Sequence, residues 1–313
     1  MTTETLDVVI NPRAGAGRAG RVLAEVTRAL QAHGRAVRVH RTERPGHAGE
    51  LMRKLISQGS AKIAVVGGDG SFHDAVQGLC DASGNLVASD TTLALIPAGT
   101  GGDLRKTLGV PTEPRAVAEW LCESKPKKMD LGRMDFVDHR GKSQSKLFAN
   151  IASFGVSGVV DKLVNESPKW LGGKLTFFLG TLRASAIYEN VACEVRADGE
   201  LFYQGPAYAV CIANGRYFGG GMKVAPNADP FDGQLDVVIL GDMTRIESTL
   251  LARTIYQGEH LKHRKVTHRR ATRVTCTLLG EHDALIDADG EAPGKLPAEF
   301  SVLPGVLSVL VGA

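Results

Sequence analysis

Ile63-Ala64-Val65-Val66-Gly67-Gly68-Asp69-Gly70-Ser71 is an apolar run that breaks into glycines and then gives way to a helix-like segment, Phe72 to Cys80. An unbroken apolar stretch that stops at a turn signal reads as a short buried strand. A glycine-rich turn between a strand and a helix gathers backbone N–H groups at the positive end of the helix dipole, which is the outline of a phosphate cradle. Gly67, Gly68 and Gly70 permit φ > 0 and close approach of a ligand. Asp69 is the anomaly, because a carboxylate repels phosphate. It fits a metal cation between the two, a carboxylate that binds ribose or water, or a plain tight turn in which Asp supplies local hydrogen bonds.

The pattern recurs on both sides. Downstream, Leu93-Ala94-Leu95-Ile96 runs into Pro97-Ala98-Gly99-Thr100-Gly101-Gly102-Asp103 and a helix-like Leu104 to Leu108. Upstream, the strand Leu6 to Ile10 meets Asn11-Pro12-Arg13-Ala14-Gly15-Ala16-Gly17 and a helix from Arg18 to His33. Val37 to Arg41 reads as a further strand ending at Thr42, and Gly46 to Ser57 as a helix with Leu51, Leu55 and Ile56 on one face. Strands alternating with helices predict a doubly wound, Rossmann-like α/β domain with a parallel sheet. Right-handed crossovers then bring the glycine turns to one edge, at the carboxyl ends of the strands, where ligands bind. No GxxxxGK[ST] lysine loop is present. Thr42 either faces the same edge or serves as a turn or N-cap residue.

Taken together, these stretches resemble the diacylglycerol kinase catalytic-domain family, which includes the bacterial lipid kinases and the sphingosine and ceramide kinases. The family patterns look like GGDGT and GTxND. Here Ser71 stands where threonine is usual and keeps the hydroxyl, while Gly102 stands where asparagine is usual and loses the amide. The resemblance implies an ATP site lined by Asn11, Pro12, Arg13, Gly15, Thr42, Gly67, Gly68, Asp69, Gly70, Ser71, Gly99, Thr100 and Asp103.

After the helix-like Pro111 to Cys122, the polar Glu123-Ser124-Lys125-Pro126-Lys127-Lys128 marks a boundary between an α/β domain, 1–126, and a second domain, 127–303. Beyond it Met129 to Val137, Leu147 to Ser153, Ala192 to Ala197, Ala207 to Ala213, Leu235 to Leu240 and Arg273 to Leu279 are strand-like, predicting a mostly antiparallel β domain. By the resemblance this is a β-sandwich for the lipid, and the last strand, about 304–313, returns to the first domain. Val156 to Val164 and Trp170 to Tyr188 are apolar and helix-compatible, as core or as a wall for lipid chains.

Two carboxylate turns lie in this half. Asp229-Pro230-Phe231-Asp232-Gly233-Gln234 suits a hard cation such as Mg²⁺, or a simple Asp-Gly turn. The resemblance implies a magnesium site with the Asp232 carboxylate and backbone oxygens of Asp229 and Gln234. Asp287-Ala288-Asp289-Gly290-Glu291 can bind metal, act as base or form a solvated turn. The family's DGE pattern implies Glu291 as the proton acceptor from a lipid hydroxyl, with Asp289 as metal or hydrogen-bond partner and Asp69 beside the phosphates.

Composition excludes little beyond this. Hydrophobic residues make up 43% and charged residues 23% of 313, with a net charge of +3, so the chain has no global basic signature of a nucleic-acid binder. Five scattered cysteines without CxxC spacing suit a reduced, cytoplasmic protein. The first residues show no charged-then-apolar leader, and no apolar run reaches bilayer length. Membrane contact is therefore expected to be peripheral. The basic run His260 to Arg273, HLKHRKVTHRRATR, is either a solvated face or a contact for anionic lipid headgroups, and it lacks the aromatics of a nucleic-acid stacking platform. The reading that unites these features is an ATP- and Mg²⁺-dependent lipid kinase acting on a diacylglycerol-, ceramide- or sphingoid-type hydroxyl. NAD kinase also carries a GGDG loop, but its Asn-Glu pair and TGSTAY-like stretch are not found. A non-catalytic lipid-binding protein on the same fold is the other class. Oligomeric state, homodimer included, is left open.

Overall fold

Strand β1 (Thr5–Ile10) lies between β2 (Ala36–Arg41) and β3 (Lys62–Gly67), and β4 (Thr92–Pro97) pairs β3 on its far side, all parallel. This is the computed structural model of the chain; it describes residues 5–81, 84–87, 90–98, 102–156, 190–280 and 283–312. Gly99, Thr100, residues 157–164 and Trp170–Tyr188 lie outside the described residues. The chain forms two compact units, Met1–Met129 with Gly305–Ala313, and Asp130–Pro304.

In the first unit Val8, Val9, Ile63, Val65, Val66, Leu93, Leu95 and Ile96 are buried, as continuous apolar strands covered on both faces require. Helix α1 (Ala19–Ala32) packs with α5 (Pro114–Glu123), and α2 (His47–Ser57) with α3 (Asp69–Val76). Helix α1 buries Leu23, Val26 and Leu30, one stripe of a 3.6-residue period. The last strand of the chain, β15 (Glu291–Leu310), pairs β4 in parallel through Ser308 and Val309. The sheet order at this end is therefore β15-β4-β3-β1-β2, and the turns after β4, β3 and β1 are neighbours. Helix α3 begins at Asp69 rather than Phe72: the glycine turn is itself the start of the helix, with Gly68 as its N-cap.

The second unit is antiparallel. Its strands are β5 (Pro126–Asp138, whose first residues belong to the first unit), β6 (Ser143–Phe148), β7 (Ile151–Gly155), β8 (Val191–Ala197), β9 (Glu200–Ala207), β10 (Ala209–Ala213), β11 (Leu235–Leu240), β12 (Val266–Ala271), β13 (Arg273–Leu278), β14 (Leu285–Ala288) and the start of β15. Strands β10 and β11 are buried on both faces: Val210, Ile212, Val237 and Ile239 join a cluster with Phe148, Phe154 and Phe300. Cys211, Val238 and Leu240 turn the other way, to Leu251 and Ile255 of helix α6 (Arg245–Gln257). The expected strand Leu147 to Ser153 is two strands, broken at Ala149-Asn150. Strands β9 and β12 and helix α6 are additions to the sequence reading. Strand β12 is masked in sequence by its charges, and α6 because its buried face is narrow, formed by Ser248, Leu251 and Ile255.

Candidate active site

The glycine turns of the first unit interlock through backbone contacts. Asn11 forms an Asx turn, its Oδ1 accepting from the Arg13 N–H at 3.0 Å, and leads into a 3-10 turn at Ala14–Gly17. Gly15 has φ +59°, and a Cβ there would sit 1.9 Å from the carbonyl oxygen of Ala98. Only glycine lets the first turn lie against the third. The Ala98 N–H donates to the Gly67 carbonyl at 2.9 Å, and the Thr42 N–H donates to Ile10, so Thr42 sits beside the end of β1. The Ser71 side chain folds back onto Gly67, where a Cβ would be 2.3 Å from Oγ. Gly70, in contrast, faces open space.

Asp69 explains itself in this setting. Its Oδ2 accepts from the N–H groups of Gly102 (3.1 Å) and Asp103 (2.9 Å), and its Oδ1 from that of Leu104 (3.1 Å). These are the first N–H groups of helix α4 (Asp103–Leu108), which have no partner within their own helix. The carboxylate in the phosphate-type loop therefore caps the neighbouring helix and ties the second glycine turn to the third. Asp103 itself is buried, with Lys106 Nζ at 2.8 Å from Oδ1.

In the second unit Asp289-Gly290 is the two-residue turn of the β14–β15 hairpin: Ala288 pairs Glu291, and both turn residues have positive φ, +52° and +91°. Asp289 Oδ1 accepts from the N–H groups of Asn150 (3.1 Å) and Ile151 (2.9 Å), and Oδ2 from that of Ala149 (2.8 Å). It is a hydrogen-bond partner that fills the break between β6 and β7. Asp287 accepts from the Gly290 N–H and the Ser153 hydroxyl. Glu291 comes next on the strand, about half exposed, with Lys146 Nζ at 3.2 Å from Oε2.

The Asp229–Gln234 turn has its negative charge already met. Asp232 Oδ1 accepts from the Gln234 N–H at 3.0 Å, and Oδ2 lies 3.3 Å from Arg270 Nη1. The Asp229 carbonyl accepts from the Asp232 N–H. Arg270 Nε is also 3.6 Å from Asp236, whose carboxyl is pushed up by burial and by Asp232 despite the guanidinium. A guanidinium on the one carboxylate expected to bind magnesium makes the donor set of Asp229, Asp232 and Gln234 a poor fit to a resident cation. Among the described residues no cluster of three or more His, Cys, Asp or Glu is placed to hold a metal.

Residues 5–134 match the diacylglycerol kinase catalytic domain, and residues 150–311 match the YegS C-terminal NAD kinase beta sandwich-like domain. A diacylglycerol kinase of Mycobacterium tuberculosis is 30% identical over 84% of this chain and 81% of its own length. The chain belongs to the diacylglycerol kinase catalytic-domain family. A Bacillus subtilis diacylglycerol kinase is 26% identical over 94% of this chain and 91% of its own. A Bacillus anthracis diacylglycerol kinase crystal structure superposes with a TM-score of 0.72 at 21% identity, covering 100% of this chain and 98% of that one. Yeast NADH kinase shares the fold at a TM-score of 0.54 and 10% identity, over 99% of this chain and 84% of that one.

Within the family's pattern, the glycine at position 102 has a backbone reason. Gly102 is the N-cap of α4 with φ +81° and ψ +45°, a left-handed conformation that glycine and asparagine both tolerate. Three other residues of the second unit were not legible in sequence. Asp130 Oδ2 accepts from the Gly233 N–H at 2.7 Å. Asn214, fully buried, donates from Nδ2 to the carbonyls of Asp130 and Ala149. Lys146 reaches Glu291 from β6. The Asn214-Gly215 pair after an apolar strand is a signal that could have found one of them.

Proposed function

We propose that this protein is an ATP-dependent lipid kinase that transfers the γ-phosphoryl group to a hydroxyl of a diacylglycerol-type lipid. The observation that carries the reading is the interlocked set of strand-end turns tied by Asp69, in a chain that matches diacylglycerol kinases over most of its length. The open glycine turn at the start of the eight-residue α3, with no side-chain cap, fits a phosphate. Gly67, Gly68, Gly70 and Ser71 would cradle the phosphates. Asn11, Pro12, Arg13, Gly15 and Thr42 would flank them on one side, with Asp103 on the other; Gly99 and Thr100, expected beside Asp103, lie outside the described residues. Asp69 is a positioning residue, since three backbone donors occupy its carboxylate. Asp289 stands in the same relation to Glu291.

Glu291 takes the proton as the lipid oxygen bonds to the γ-phosphorus and the bond to the ADP oxygen breaks. Lys146 keeps its carboxylate oriented. Mg²⁺ accompanying the nucleotide would neutralise charge on the phosphates. Ceramide and sphingoid bases present the same nucleophile and are the other acceptors to try. The second unit is the lipid-facing one in this reading. No described helix is long and apolar enough to cross a membrane, and the lipid would be met at the bilayer surface.

Purified protein, γ-labelled ATP and micelles of diacylglycerol, ceramide or sphingosine test the reading, with NAD as a parallel acceptor. Label in phosphatidic acid is expected. Label in NADP alone, or in no product while ATP still binds, would overturn it, the second outcome leaving a lipid-binding regulatory protein.

A further inference from the structure

Helix α6 turns an apolar face to solvent. Ile246 is 75% exposed, Leu250 71% and Tyr256 54%. Residues 246, 250 and 253 recur at helical spacing and share one side, with 249 and 256 beside them. Arg253 lies within this stripe and Arg245 at its edge; both are exposed, and neither forms an ion pair among the described residues. Just past the helix, Lys262 and Arg264 are 81% and 80% exposed, and their ion pairs among the described residues are long, 3.6 Å to Glu259 and 3.8 Å to Glu247. The opposite face is fixed by buried Ser248, Leu251 and Ile255, by a Thr244–Glu247 capping box, and by Lys265 Nζ at 2.6 Å from Glu247.

The basic run from His260 to Arg273 is, by contrast, largely consumed within the second unit. Lys265 pairs with Glu247, Arg269 with Glu200 at 2.6 Å, and Arg270 with Asp232. Its exposed charge is therefore concentrated beside α6. A rigid helix with aliphatic side chains between arginines, and a tyrosine near its end, combines the two attractions that hold a helix in the plane of a bilayer interface. Apolar area enters the acyl boundary, and the cations meet anionic headgroups.

We infer that the exposed face of α6, through Ile246, Leu250 and Tyr256 with Arg245, Arg253, Lys262 and Arg264, docks this protein on an anionic phospholipid bilayer. The inference rests on the lipid kinase reading for its purpose, and its test is separate. Full-length protein is sedimented with phosphatidylcholine vesicles that do or do not contain phosphatidylglycerol. Wild type should pellet with the anionic vesicles and be released as salt screens the attraction. R245Q/R253Q should bind about 30-fold more weakly, the scale expected when two charges near an anionic surface are removed, and I246S/L250S about tenfold more weakly, because less apolar area enters the acyl boundary. Circular dichroism should be unchanged, and so should turnover on detergent-dispersed diacylglycerol. Wild type that stays in the supernatant, or variants that pellet as wild type does, would overturn the docking. A dimer lost in the variants by sedimentation velocity, with vesicle binding intact, would make the face a self-association surface and overturn it too. Absent turnover in detergent would count against the kinase reading alone, because pelleting is measured without it.

Discussion

Asp69 and Asp289 sit in glycine turns of different units and make the same kind of contact. Each spreads its carboxylate over three consecutive backbone N–H groups: Gly102, Asp103 and Leu104 for one, Ala149, Asn150 and Ile151 for the other. The two turns lead into different elements. After Asp69 the chain enters a helix whose amino end is open, so the turn presents donors. After Asp289 it enters a strand, and the turn presents the carboxylate of Glu291. The lesson is that a negative charge in a turn of this kind need not face the ligand. Backbone donors neutralise it, and what it shapes is what the next residues offer.

The sharpest break between the two regions is Glu291→Gln. The amide cannot take the proton, so kcat should fall about 10²–10⁴-fold with ATP affinity and thermal stability close to wild type. Equal kcat in steady-state assays would return Glu291 to a surface role.

Asp69→Ala and Asp289→Ala test the likeness directly. Each orphans three N–H groups, and each should cost about 1–3 kcal/mol in chemical denaturation. Displaced turns should also lower kcat/KM for ATP by about 10²-fold. The comparison predicts a split: Asp69→Ala raises the ATP KM, whereas Asp289→Ala lowers kcat with the ATP KM kept. The same kinetic pattern in both variants would dissolve the distinction.

A third contrast lies in the helix starts. Helix α3 begins at an uncapped glycine, but α6 has a full capping box. Thr244→Ala should therefore cost about 1 kcal/mol of stability and leave activity on dispersed lipid unchanged. A loss of turnover at full stability would assign α6 a part in the chemistry.

The smallest effect concerns acid. The Glu247 carboxyl is drawn down to about 2, first by the Lys265 hydrogen bond and then by the Thr244 backbone N–H. Its folded-state pKa is depressed, so its contribution is complete above its ordinary range near 4.5 and fades as pH falls toward 2. Titration of the Glu247 side chain by NMR should show a midpoint well below that of an exposed glutamate. An ordinary midpoint would mean the pair with Lys265 does not hold in solution.

The amino-acid sequence by itself determined the alternation of apolar strands with glycine turns, and with it the parallel sheet and the edge where those turns meet. It also determined the β-rich second half, because strand patterns act over a few neighbours, whereas the Asp289-Gly290 hairpin emerges only in the pairing of β14 with β15. Strand β11 matches its expected bounds, Leu235–Leu240, since its whole length is apolar and buried on both faces. Strand β12 was read as a charge run because the pairing of Lys265, Arg269 and Arg270 depends on acids far away in the chain. The tertiary structure alone decided what the carboxylates do. The partners of Asp69 lie 33–35 residues away and those of Asp289 138–140 residues away. Arg270 reaches Asp236 only because β11 and β12 pair in antiparallel register. A side chain's chemistry is written in its residue type, but which donor or charge meets it is set when distant segments pack together.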